Sequence, residues 1–231
     1  MIPMLAPLMF TLLQVPAPVP DTLTYRFEET KRSVYRLPGG EKGKAVKVAK
    51  GDSARSGDGV TTGWWARAVI AVPERMSRFE VYANTQVKLA GGEPGVLLVV
   101  EKGRIKAFFQ ALVAGNRQER QVAVPGALLA VRGTRYGVEV GKEGKSTLVV
   151  FEGVVEVLPK AVHAEPVRVK AGEWARFGPD LLPQIQPISM RGFDEKAWTQ
   201  GMLPDGTMGP GAMSPGSMPK GMPSGSGPMH H

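Results

Sequence analysis

Cysteine is absent from the 231 residues, which excludes disulfides, thiol nucleophiles and cysteine-ligated zinc or iron–sulfur sites together. A core built from this chain has to hold without covalent staples. Also missing is any uninterrupted apolar run long enough to cross a bilayer as a helix, so no membrane span is expected in the mature chain. Histidine is scarce: of three, His230 and His231 end the chain, and only His163, in the loop "KAVHAEP", is an internal candidate for acid–base work. No nucleophile elbow, histidine–carboxylate ligand set or closely spaced carboxylate pair accompanies it. Two phosphate-loop look-alikes fail on spacing. Gly144-Lys145-Ser146-Thr147 would need an earlier glycine at the place of Glu139 and leads into a strand-like run; Gly57-Asp58-Gly59-Val60-Thr61-Thr62-Gly63 is one residue too long for a dinucleotide fingerprint and opens no helix. The expectation is a protein that is not an enzyme, with no catalytic residue, cofactor or resident metal; a secreted hydrolase acting through His163 is an alternative.

Acidic side chains are in deficit as well, 21 Asp and Glu against 29 Lys and Arg, a net charge of +8. Residues 26–50 hold part of the excess, with Arg26, Lys31, Arg32, Arg36, Lys42, Lys44, Lys47 and Lys50 against Glu28, Glu29 and Glu41. A basic surface attracts polyanions without choosing among them. The partners expected are an envelope protein or an anionic cell-wall polymer, and no nucleic acid.

What the sequence does have is alternation. From Leu23 to Phe177 it runs in short β-like stretches broken by glycine, proline and charged pairs, among them Arg67–Val72, Gln86–Leu89, Val96–Val100, Ile105–Phe109, Gln121–Val124, Val154–Leu158 and Val167–Lys170. Gly141-Lys142-Glu143-Gly144-Lys145 between Tyr136–Val140 and Thr147–Phe151 marks a hairpin. Helical periodicity is confined to Phe193–Gln200, where acidic residues near the start suit a short helix. Many short strands at turn-limited spacing predict an all-β, antiparallel sandwich or roll, jelly-roll-like, with a short C-terminal helix. Four local echoes, Val48-Ala49-Lys50-Gly51, Val100-Glu101-Lys102-Gly103, Phe151-Glu152-Gly153 and Val169-Lys170-Ala171-Gly172, recur at irregular spacing and read as strand-edge turns rather than solenoid repeats.

The two ends differ from the middle. Residues 1–20 combine an apolar stretch, Leu5 to Val15, with a small-residue exit near Ala17 and no charge, and read as a secretory signal. Residues 201–231 hold eight glycines, six prolines and six of the eleven methionines, a composition expected to stay disordered. Met202, Met208, Met213, Met218, Met222 and Met229 offer soft thioethers, so copper handling by this tail is another alternative. Trp64 and Trp65 follow a Gly-Val-Thr-Thr-Gly loop; adjacent strand residues face opposite ways, so one of them at least is expected at the surface as a stacking anchor.

In "VRGTRYGVEV" the apolar positions are odd up to Val131 and even from Tyr136 to Val140. The side-chain period slips by one at Gly133-Thr134, which requires a bulge or a bend that feeds two sheets. This Arg-Gly-Thr-aromatic segment, the hairpin after it and the apolar strand ending in Glu152-Gly153-Val154-Val155 resemble the FecR domain. Gly51-Asp52 is similar to that family's opening turn, "SRFEVYANTQVKLAG" (Ser77–Gly91) to its Asn-Thr element, and "VRVKAGEWARF" to its closing strand. The resemblance implies an all-β periplasmic or surface domain in which Gly51, Asp52, Gly133, Thr134, Glu152 and Gly153 are structural, with Arg132 and Arg135 flanking the corner. In the best-known members it serves transmembrane signalling. Here residues 1–20 read as an export signal, so no cytoplasmic segment is expected ahead of the domain, and the expectation is an exported binding or scaffolding module in the periplasm or outside the cell. The division expected is 1–20 signal-like, 21–44 an N-terminal β extension, 45–178 the FecR-like domain, 179–200 an extension with a short helix, and 201–231 the tail. Partner contacts are expected at Trp64, Trp65, Arg132 and Arg135.

Overall fold

A computed structural model describes residues 23–40, 44–90, 94–112, 119–161 and 163–209. The signal-like segment 1–20 and residues 210–231 of the tail lie outside the described residues. In chain order the strands are β1 (Thr24–Lys31), β2 (Val34–Leu37), β3 (Val46–Lys47), β4 (Ser53–Arg55), β5 (Gly59–Thr62) and β6 (Arg67–Val72). They continue with β7 (Ser77–Val81), β8 (Gln86–Leu89), β9 (Val96–Phe109), β10 (Gln121–Val124), β11 (Ala127–Val131) and β12 (Arg135–Val140). The last are β13 (Ser146–Glu152), β14 (Val154–Pro159), β15 (Val167–Lys170), β16 (Glu173–Gly178) and β17 (Leu181–Pro187), followed by one helix, α1 (Glu195–Thr199).

Pairing sorts these strands into two layers. Sheet A has the order β4-β1-β6-β7-β9-β12-β13-β16-β17. Sheet B has the order β3-β2-β5-β8-β9-β10-β11-β14-β15. The all-β sandwich expected from the alternation is what forms, with one pairing out of pattern: β10 lies parallel to β9. β9 belongs to both sheets. Its first half pairs with β8 and β10, its second with β7 and β12. What read as two strands, Val96–Val100 and Ile105–Phe109, is one strand of 14 residues. Its inward side chains are even before Gly103 (Leu98, Val100) and odd after it (Ile105, Ala107, Phe109).

Gly103 shows why the corner takes glycine. Its φ is +90°, and a Cβ there would lie 2.6 Å from the Thr85 Cα. The slip in "VRGTRYGVEV" has the same origin. β11 pairs within sheet B and β12 within sheet A, so the chain changes layer at Gly133, and Leu129 and Val131 share the core with Tyr136, Val138 and Val140. Gly51, Gly153 and Gly172, the other echoed glycines, sit with positive φ at passages between the sheets.

The 21–44 segment is woven into both layers. β1 pairs with β4 and β6 and sends Tyr25 and Phe27 into the core, where the Tyr25 hydroxyl donates to the Leu97 carbonyl at 2.6 Å. Beyond residue 178, β17 extends sheet A despite Pro183 and Pro187, a location open to proline because it is an edge. The expectation of disorder from 201 needs correcting for its first nine residues. Gly201, Leu203, Pro204 and Gly209 are buried, Met202 and Met208 form a bridge, and the Gly209 N–H donates to the Gly201 carbonyl at 2.9 Å.

Candidate functional site

Sheet A has a second small core on its outer side. Trp198 of α1 is fully buried there with Tyr82, Val149, Trp174 and Leu203. It lies on Gly137, where a Cβ would fall inside the indole. Asp194 caps the helix, its carboxylate accepting from the Ala197 N–H at 2.8 Å. Beneath the helix is a buried ion pair. The Arg104 Nε donates to Glu139 Oε2 at 2.6 Å, and its other nitrogens donate to the Trp198 carbonyl at 2.6 Å and the Gly201 carbonyl at 3.0 Å. The two side chains are 4% and 2% exposed. Around them Lys106 bridges Glu80 (3.2 Å) and Glu195 (3.3 Å), while the Tyr82 hydroxyl donates to Glu80 at 2.9 Å. Burial alone would raise the Glu80 carboxyl, but Lys106, the Tyr82 hydroxyl and Arg67 outweigh it and hold Glu80 below the usual carboxylate range.

The outer face of sheet B is built differently. No described element lies over it, and its outward residues form three shallow grooves. One of about 440 Å³ is lined by Leu37, Gly40, Gln86, Lys88 and Glu101. The next, about 480 Å³, shares Lys88 and Glu101 and reaches Ala123 and Lys160. The third, about 720 Å³, runs from Gln121 and Ala130 to Arg132, Glu156, Arg168 and Lys170. Register explains its floor: Ala130 lies opposite both Gln121 and Glu156, and Glu156 opposite Arg168, so a small side chain sits between long ones. Arg168 and Glu156 pair at 3.2 Å.

The expected contact residues fall at opposite ends of the sandwich. Trp64 and Trp65 occupy the corner between β5 and β6, 65% and 62% exposed. The run is a turn, not extended, so both indoles face solvent. Trp65 has φ +55°, a conformation that costs a bulky residue about 1 kcal/mol or more. The turn is pinned at Gly63, whose N–H donates to the Ser33 carbonyl (2.9 Å) and whose carbonyl accepts from Asn84 (3.2 Å) and Ala66 (3.2 Å). Arg132 and Arg135 flank Gly133, beside the Phe109 end of β9, whereas the tryptophan rim lies at the Gly103 corner in the middle of that strand, roughly 20 Å away at 3.3 Å per residue. Arg132 is exposed on the large groove. Arg135 instead bonds within the chain, to Glu152 at 2.7 Å and Glu195 at 3.0 Å, fastening α1 to sheet A.

The motif residues meet at that end. A Cβ at Gly153 would lie 2.7 Å from the Gly133 carbonyl oxygen. The buried Thr134 hydroxyl donates to the Val154 carbonyl at 3.0 Å. At the opening turn, Asp52 accepts from the Ala49 N–H at 2.8 Å. His163 is exposed in the β14–β15 loop with φ +65°. Among the described residues no group of three or more His, Asp or Glu side chains could hold a metal ion. Four of the six tail methionines, Met213, Met218, Met222 and Met229, lie outside the described residues.

No family model matches the chain, and no curated protein does. Among solved structures, a candidate anti-sigma factor from Parabacteroides distasonis ATCC 8503 is similar to it in two crystal structures, at 1.65 Å and 2.50 Å resolution. The identities are 17% and 16%, with a TM-score of 0.48 for each. Each likeness covers 63% of this chain, and 66% and 65% of those chains, just under two thirds of their length. No helix among the described residues is long and apolar enough to cross a membrane.

Proposed function

We propose that this chain is an exported, non-catalytic binding module of the bacterial cell envelope, of FecR-like build, which holds an anionic cell-wall polymer along the outer face of sheet B. The observation that carries the reading is the set of three grooves on the face that no described element covers, bordered by Lys88, Arg132, Lys160, Arg168 and Lys170 against Glu101, Glu119 and Glu156. A shallow, elongated, positively charged track suits a flexible polyanion better than a small substrate, which needs enclosure and convergent polar groups. Export is supported by the signal-like residues 1–20, and the FecR-like build by the packed Arg-Gly-Thr and Glu-Gly-Val corners.

Co-sedimentation of the full chain with purified cell walls tests this. Binding is expected to intact walls, to weaken with added salt, and to be lost with walls stripped of anionic polymer and with a K88E/R168E/K170E variant. Equal binding to stripped walls, or binding unchanged by the charge reversal, overturns it.

A further inference from the structure

The Trp64–Trp65 corner takes no part in the grooves, since neither indole lines any of them. Two adjacent tryptophans, each more than 60% exposed, present a large apolar patch where polar turn residues would serve the fold equally well. They are held there. Gly63 is hydrogen-bonded to both neighbouring corners, and the left-handed Trp65 backbone turns the pair outward instead of letting one indole fold into the core.

The same rim carries the β1–β2 corner at Arg32, beside Ser33, and the β9 corner at Lys102-Gly103, beside Asn84 and Thr85. Lys31 is taken by Glu29 at 3.3 Å. Arg32 and Lys102 are exposed and make no ion pair among the described residues. Glu101, next to Lys102, lines the groove side of sheet B. The tip is therefore exposed and apolar at the two indoles and cationic at its shoulders. A sugar or small ligand would need a concavity, and neither tryptophan lines any of the grooves described above. A lipid interface accepts a protruding indole pair without one, and tryptophan favours that zone while anionic headgroups attract the flanking cations.

We propose that the Trp64–Trp65 corner is a membrane-docking tip that inserts into the headgroup region of an anionic bilayer, with Arg32 and Lys102 on the phosphates. This is independent of the polymer reading, which concerns another face. The full chain is mixed with vesicles of phosphatidylcholine and phosphatidylglycerol, 1:1, and with vesicles of phosphatidylcholine alone. Trp174 and Trp198 are buried, so an emission change reports on the corner. The expected result is a blue shift and quenching by brominated lipid with the anionic vesicles. In co-sedimentation, W64S/W65S is expected to partition at least about tenfold more weakly than the parent, and R32Q/K102Q several-fold more weakly. Both variants retain residues 1–22, so any affinity of that segment for lipid is common to all three proteins. Unchanged partitioning of W64S/W65S, no binding to anionic vesicles, or quenching without dependence on Arg32 and Lys102 overturns the proposal.

Discussion

On sheet A the outward positions hold Glu80, Arg104, Lys106 and Glu139; on sheet B they hold Lys88, Glu156, Arg168 and Lys170. In sequence these sets look alike, charged residues alternating with buried aliphatics. In the fold they part company. Sheet A is roofed by α1 and residues 201–209, which seal an ion pair and a tryptophan beneath them and leave a groove at Lys142 and Lys145, whereas no described element covers sheet B and its charges border three grooves. The difference teaches that outward parity alone does not decide whether a charge is structural or available. What decides it is a cover supplied from far along the chain, here from residues beyond 190.

That contrast can be broken most severely at Trp198. Trp198→Ala is expected to cost about 3–5 kcal/mol in urea unfolding, since it empties the centre of the roof. Glu139→Gln leaves the buried Arg104 uncompensated and is expected to cost about 3 kcal/mol, while the apolar double replacement R104M/E139L recovers much of the loss. Gly137→Ala drives a methyl into the indole and is expected to cost about 1–3 kcal/mol and to loosen α1, seen as faster amide exchange at Ala197 and Trp198. A milder effect is expected with pH. Because Glu80 is held below its ordinary value of 4.5, its contribution is present above that pH and is lost as pH falls through the lower folded value. Acid unfolding of Glu80→Gln should therefore be less steep in that window than that of the parent. On the open face, Lys88→Glu and Lys170→Glu are expected to shift stability by less than about 0.5 kcal/mol while weakening wall binding.

The fold was legible where a single physical rule governs. Alternation located most strands, with Arg67–Val72, Gln86–Leu89, Gln121–Val124 and Val167–Lys170 correct to the residue. The parity slip at Gly133 identified a passage between layers. β5 was hidden because Gly59-Val60-Thr61-Thr62 reads as loop, and β17 because Pro183 and Pro187 mask an edge strand that tolerates them. The exposure of the tryptophan pair was readable in part: the alternation argument allowed one indole inside, and the turn at Gly63 puts both outside. The Arg104–Glu139 pair gave no local signal, since nothing near either residue says that the chain returns to cover them. The Gly- and Pro-rich composition after 200 concealed that its first nine residues are anchored through Leu203, the Gly201 carbonyl and an Asp205–Arg176 ion pair.

Lysine acetylation of the full chain, read by mass spectrometry with and without purified cell wall bearing its anionic polymer, tests the division of the two faces most directly. Protection is expected at Lys88 and Lys170 on the open face, with Lys142 and Lys145 at the β12–β13 turn and Lys196 on α1 reacting as before. Protection centred on Lys142, Lys145 and Lys196, with Lys88 and Lys170 unchanged, would contradict the account.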